Sequence, residues 1–86
     1  MMGSEVFVSR CYDVGGVGLV INGWVQSGMI REGSIGRTFK GKKFTLVKIE
    51  KEGQQLPKAL EKDKINLFVK NITRTDLKPG ESIYFD

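Results

Sequence analysis

Five basic side chains crowd one short stretch of the chain: Arg31, Arg37, Lys40, Lys42 and Lys43, with Glu32 the only acid among them. Lys40-Gly41-Lys42-Lys43 reads as a hairpin tip that projects ammonium groups into solvent, where they can meet phosphates and release counterions. The competing reading is a solvated turn kept soluble by its lysines. Phe39 and Phe44 flank the tip. Exposed, they would stack on nucleic-acid bases; turned inward, they pack the hairpin or the core.

Catalytic chemistry has few parts to work with. Histidine is absent and Cys11 is the single cysteine, so no Ser-His or Cys-His pair and no zinc site can be assembled. Asp13, Glu50, Asp63 and Asp76 carry no visible partner arrangement. The expectation is a protein that is not an enzyme and needs no metal or cofactor. Cys11 reads as a small buried strand residue in preference to a reactive thiol, and a lone cysteine cannot make an internal disulfide. Met1-Met2-Gly3-Ser4-Glu5 lacks the basic start and apolar stretch of a signal peptide. The longest apolar run, Val17 to Ile21, is far too short to span a bilayer. These features lead us to expect a cytoplasmic protein with no membrane partner.

The elements that would position these residues are strands. The 86 residues allow one domain, and 11 glycines with almost no helical period divide it into short strands and tight turns. Residues 1–5 read as an N-terminal tail and 6–86 as the domain. From Val6 to Val14 the even positions Val6, Val8, Tyr12 and Val14 form the apolar face, interrupted by Arg10. Gly15-Gly16-Val17-Gly18 makes a reversal, and a strand from Leu19 to Val25 follows, with Gly23 marking a bulge or bend. In the strand from Phe44 to Lys51, Thr45, Val47 and Ile49 alternate with Phe44, Leu46, Lys48 and Glu50. One helical turn is expected around Lys58-Ala59-Leu60, a buried strand from Ile65 to Ile72, and a last strand from Ser82 to Phe85. Such spacing describes an all-β fold, a small closed antiparallel barrel. Trp24 reads equally as core or as an exposed anchor for a protein partner.

The glycine spacing carries a resemblance. Gly16-x-Gly18, then Gly23, Gly28 and Gly33 at five-residue steps with Val25 and Ile30 between, resembles domain 2 of translational GTPases, the β-barrel module of elongation factor Tu. Val47-Lys48-Ile49-Glu50, Glu61 to Leu67, Lys70-Asn71-Ile72 and Asp76-Leu77-Lys78-Pro79-Gly80 continue it over nearly the whole chain. Ser34, Lys62 and Asn71 stand where the family has Asp, Gly and Gly. Lys62 is the least comfortable of these if its φ is positive.

The resemblance implies a translation-factor barrel and a surface pocket that holds the aminoacylated 3′ end of transfer RNA. The matching pocket positions are Arg10, Tyr12 and Glu50. Arg10 replaces a carboxylate, which reverses the charge meeting a substrate ammonium and argues against recognition of an aminoacyl group. Glu50 also reads as a strand residue paired with Lys48 or Lys51. The reading is therefore a non-catalytic, RNA-associated binding module, with Arg31, Arg37, Lys40, Lys42 and Lys43 as RNA-binding candidates. The alternative is a protein-interaction module that docks on a larger, GTPase-like partner through Trp24. The sequence contains no Gly-x-x-x-x-Gly-Lys-Ser/Thr phosphate loop, so GTP binding by this chain is not expected. Titrating GTP with magnesium should leave the melting temperature unchanged, because a ligand stabilises only by binding the native state; a saturable upward shift would reveal a nucleotide site.

Overall fold

The computed structural model describes residues 3–86. Among these residues the chain forms β1 (Ser4–Val14), β2 (Gly18–Ser27), β3 (Met29–Arg31), β4 (Ile35–Arg37), β5 (Lys43–Lys51), β6 (Gln54–Leu56), β7 (Lys58–Leu60), β8 (Lys64–Lys70) and β9 (Ser82–Phe85), with one 3-10 turn at Arg74–Asp76. The main sheet runs β4-β9-β1-β2-β8-β5-β6, and β4 also pairs with β5, so six strands close into an antiparallel ring. β3 and β7 form a separate two-stranded sheet. Closure removes the open edges that a sheet this small would otherwise expose. No helix among the described residues is long and apolar enough to cross a membrane.

Alternation fills the ring. Val6, Val8, Ile21, Val25, Phe44, Leu46, Ile49, Ile65, Leu67, Ile83 and Phe85 point inward and are buried. Phe44 and Phe85 meet edge to face, with centroids 5.6 Å apart, and a Cβ on Gly36 would collide with both rings. That contact seats the ring-closing strand β4 directly over the aromatic pair.

Of three register shifts, one of which leaves Gln26 extra in β2, two set which side chains of the central strands face out. Val8 pairs with Gly23 and Arg10 with Asn22, so Ser9 is an extra residue in β1. The bulge brings the two backbones so close that a Cβ on Gly23 would run into the Phe7 carbonyl. Before it, the even positions Val6 and Val8 face the core. After it, Cys11 packs against the core while Arg10 and Tyr12 turn outward. Tyr12 therefore does not share the buried face of Val8, contrary to simple alternation. In β5, Leu46 pairs with Val69 and Lys48 with Phe68, so Val47 is the extra residue and is half exposed.

Two further expectations are corrected. The strand begins at Ser4, not after a five-residue tail: Ser4 is buried, its hydroxyl donates to the Met29 carbonyl at 2.6 Å, and Glu5 pairs with Tyr84. Of that tail only Gly3 precedes the strand among the described residues, and Met1 and Met2 lie outside them. Lys58-Ala59-Leu60 is strand β7 and not a helical turn, because Ala59 is fully buried opposite Ile30 in the β3–β7 pair. The only helical turn among the described residues is Arg74–Asp76, where the Asp76 carboxylate accepts from the Thr73 backbone N–H at 2.8 Å.

Lys62 and Asn71 hold φ values of 78° and 79°, the left-handed region that favours glycine. An L residue there costs about 1–2 kcal/mol. Replacing Lys62 by Gly should therefore raise stability by about 0.5–1 kcal/mol once the larger freedom of unfolded glycine is subtracted. Gly23→Ala should lower it by about 3 kcal/mol, since the methyl must force two backbones apart. Thermal melts of the two variants should move in opposite directions.

Candidate nucleic-acid interface

The bulges give strands β1, β2, β8 and β5 an outer face whose side chains lie in rows. One row runs Arg10–Asn22–Asn66–Glu50, and Gln55 of β6 continues it. A second runs Tyr12–Val20–Phe68–Lys48. A third runs Phe7–Trp24–Lys64. The centre of the first row is fastened by a hydrogen bond from Asn22 Nδ2 to Asn66 Oδ1 at 3.0 Å. Arg10 and Glu50 sit at its ends, three strand spacings or about 14 Å apart, so they do not meet.

The other two rows are aromatic. Trp24 and Phe7 stack with centroids 4.5 Å apart and planes 25° from parallel. Trp24 therefore lies outside the barrel core, half-buried against Phe7. Val20 is only 3% exposed yet lies outside the core cluster, sandwiched in register between Tyr12 and Phe68. Lys48 Nζ sits 4.3 Å from the Phe68 ring centroid, a cation–π distance, and 3.3 Å from Glu50 Oε2. Beside this row lies a depression of about 360 Å³, lined by Val17, Val47, Lys48, Phe68, Val69 and Lys70.

The structure thus brings Arg10, Tyr12, Glu50 and Trp24 onto one face. It does not gather the five basic candidates into an unopposed patch. Arg37 is bonded to Asp86 at 3.1 Å and Lys42 to Asp76 at 3.0 Å. Lys40 lies over the exposed Phe39 ring at 5.7 Å, while Phe44 is core. Thr38 builds the tip, its hydroxyl accepting from the backbone N–H groups of Lys40 and Lys42 at 3.3 and 3.1 Å. Glu32 turns away from the basic stretch and accepts from Ile49 N–H at 3.0 Å and Gln55 Nε2 at 2.9 Å. Arg31 and Lys43 stay exposed, without a carboxylate partner among the described residues. Sequence reasoning missed Phe7, Asn66, Phe68 and Lys64 as surface residues. The strict alternation of Ile65, Leu67 and Val69 against Lys64, Asn66, Phe68 and Lys70 carried the signal for β8. Among the described residues no three His, Cys, Asp or Glu side chains gather as metal ligands.

No family model matches the sequence. The fold matches the apo crystal structure of translation elongation factor SelB from Methanococcus maripaludis with a TM-score of 0.87 at 12% identity, covering 96% of this chain and 18% of that one. It also matches a bacterial selenocysteine-specific elongation factor, EF-Sec, with a TM-score of 0.84 at 25% identity, covering 93% of this chain and 14% of that one. The chain has the fold of a translation-factor β-barrel domain and spans less than a fifth of either matched structure.

Two ion pairs tie the loops around the face and carry a pH signature. A hydrogen bond from Lys51 Nζ at 2.8 Å, aided by the Leu60 backbone N–H, holds the Asp63 carboxyl below the usual carboxylate range. The Thr73 backbone N–H and then Lys42 do the same for Asp76. A depressed folded pKa contributes stability above the unfolded value and loses it as pH falls through the folded one. The melting temperature should therefore drop below about pH 4. Asp63→Asn should flatten that drop; an unchanged acid limb would show that the pair contributes nothing.

Proposed function

We propose that this chain is a non-catalytic RNA-binding module of the translation-factor barrel type, and that the outer face of β1, β2, β8 and β5 is its contact surface. One observation carries the reading. The face sets Tyr12, Phe68 and the Phe7–Trp24 stack among Arg10, Lys48, Lys64 and Lys70, and Glu50, already bonded to Lys48, is the single acid in its rows. Rings that stack on bases beside cations that meet phosphates are the two parts of a single-strand binding surface. Arg31, Lys40 and Lys43 would add peripheral charge, whereas Arg37 and Lys42 are engaged by carboxylates. The matched structures are elongation factors, and a module of the translation-factor type accords with that likeness.

The rival, docking on a larger, GTPase-like protein, draws on the half-buried Trp24 and on Val17 and Val47, 56% and 49% exposed. Salt separates the two. Affinity for a single-stranded RNA should fall steeply with salt, and Arg10→Gln combined with Lys64→Gln should reduce the log–log slope by about 1.4 units. Tyr12→Ala should weaken binding about tenfold, the worth of one base–aromatic stack. Absence of any salt-sensitive RNA binding by the wild-type chain would remove this reading.

A further inference from the structure

Beyond the aromatic rows, β5 and the end of β8 enclose a second, smaller depression of about 210 Å³, lined by Ile35, Lys43, Phe44, Thr45 and Asn71. Its polar side chains are an ammonium, a hydroxyl and an amide, with no carboxylate among them. Lys43 is exposed and lies two residues from Thr45 on the same side of β5. Lys70 is exposed and pairs directly with Thr45 across the β5–β8 ladder. Neither lysine has a carboxylate within ion-pair distance among the described residues, although Lys42 next door does. Asn71 Nδ2 lies 3.4 Å from Thr45 Oγ1, which leaves the hydroxyl proton and the second amide proton free to point outward.

We propose that Lys43, Thr45, Lys70 and Asn71 form a binding site for one phosphate group, the phosphodiester of an RNA strand crossing the outer face. The proposal rests on the RNA reading above and adds a position to it. Lys43, Thr45 and Asn71 bring an ammonium, a hydroxyl and an amide to a depression with no acidic side chain in its lining, and Lys70, paired with Thr45, adds a second cation at its border, a set suited to a tetrahedral oxyanion and hostile to a cation. The volume holds a phosphate and part of its sugar but falls short of the usual range for a whole small-molecule ligand, about 300–1,000 Å³. Lys70 lines the larger depression that contains Phe68 and pairs with Thr45, which lines the smaller one. A strand held here thus continues onto the aromatic row, which favours a polymer over free phosphate. The left-handed backbone of Asn71, φ 79°, supports the geometry. It ends β8 abruptly at the position where the amide meets Thr45, and asparagine is one of the few side chains that tolerates it.

That same backbone supplies a clean test. Asn71→Gly keeps the φ it needs, so it should leave stability unchanged or slightly raised while deleting the amide. Amide resonances of ¹⁵N-labelled wild-type protein would be followed during titration with an oligouridylate decamer and, separately, with inorganic phosphate. The expected result is a saturable shift of the Asn71 side-chain amide with the decamer at far lower concentration than with phosphate. Asn71→Gly should weaken decamer binding about threefold. Lys43→Gln combined with Lys70→Gln should weaken it about tenfold and reduce the salt slope by about 1.4 units, at the single-strand value of roughly 0.7 per contact. Decamer binding with wild-type slope and affinity in these variants, and a stationary Asn71 amide, would overturn the site while leaving the outer-face reading intact. A saturable Asn71 shift with phosphate but none with the decamer would overturn the assignment to RNA and leave a site for a free anion. An amide that moves with neither would remove the site altogether.

Discussion

The contact on which this barrel turns is the near collision of β1 and β2 at Gly23. Only a residue without a Cβ lets the Phe7 carbonyl come so close, and the price of that approach is one surplus residue, Ser9, in the facing strand. The surplus reverses the parity of everything after it. Were β1 regular, Val8, Arg10 and Tyr12 would share a face, and a guanidinium would be forced into an apolar core at a cost of several kcal/mol. With the bulge, Val6 and Val8 remain inside and Arg10 and Tyr12 join the outer rows. Val47 performs the same reversal in β5, keeping Leu46 and Ile49 inside and Lys48 outside. The face exists because two strands break step.

Ring closure depends on a second tight spot. β4 is only three residues long, yet it joins β9 to β5 and completes the circuit. It succeeds because Gly36 leaves room for Phe44 and Phe85 to meet at 82° between planes. A chain of 86 residues has a small interior. Its stability is correspondingly concentrated in such contacts and less in bulk burial. The flanking ion pairs, Lys51–Asp63 and Lys42–Asp76, are surface pairs that position loops more than they stabilise the fold.

Much of this was legible in the sequence. The glycine spacing gave the all-β class, the barrel and the translation-factor likeness, and Glu50 pairs with Lys48 as one reading had it. The discomfort of Lys62 followed from the glycine that the resemblance places there, and Lys62 and Asn71 both adopt the left-handed backbone. What escaped was non-local. Alternation has no way to announce that Ser9 and Val47 are extra, because a bulge is defined by the partner strand. Asp76 and Asp86 engage Lys42 and Arg37 across 34 and 49 residues of chain, which no local pattern encodes. Three residues around Ala59 look helical in isolation, and it is the buried position opposite Ile30 that makes them a strand.

The first and last strands of the described chain are neighbours in the ring: Ser4 pairs with Phe85, and Glu5 with Tyr84. The polypeptide therefore arrives at and departs from one side of the barrel, after completing a self-contained circuit. Topologically this is a bead on a thread. Lengthening the thread at either end leaves the ladder undisturbed, and opening a surface loop while joining the two ends would preserve every strand pair. An architecture of this kind suits transfer between protein contexts, because its first and last strands are paired side by side.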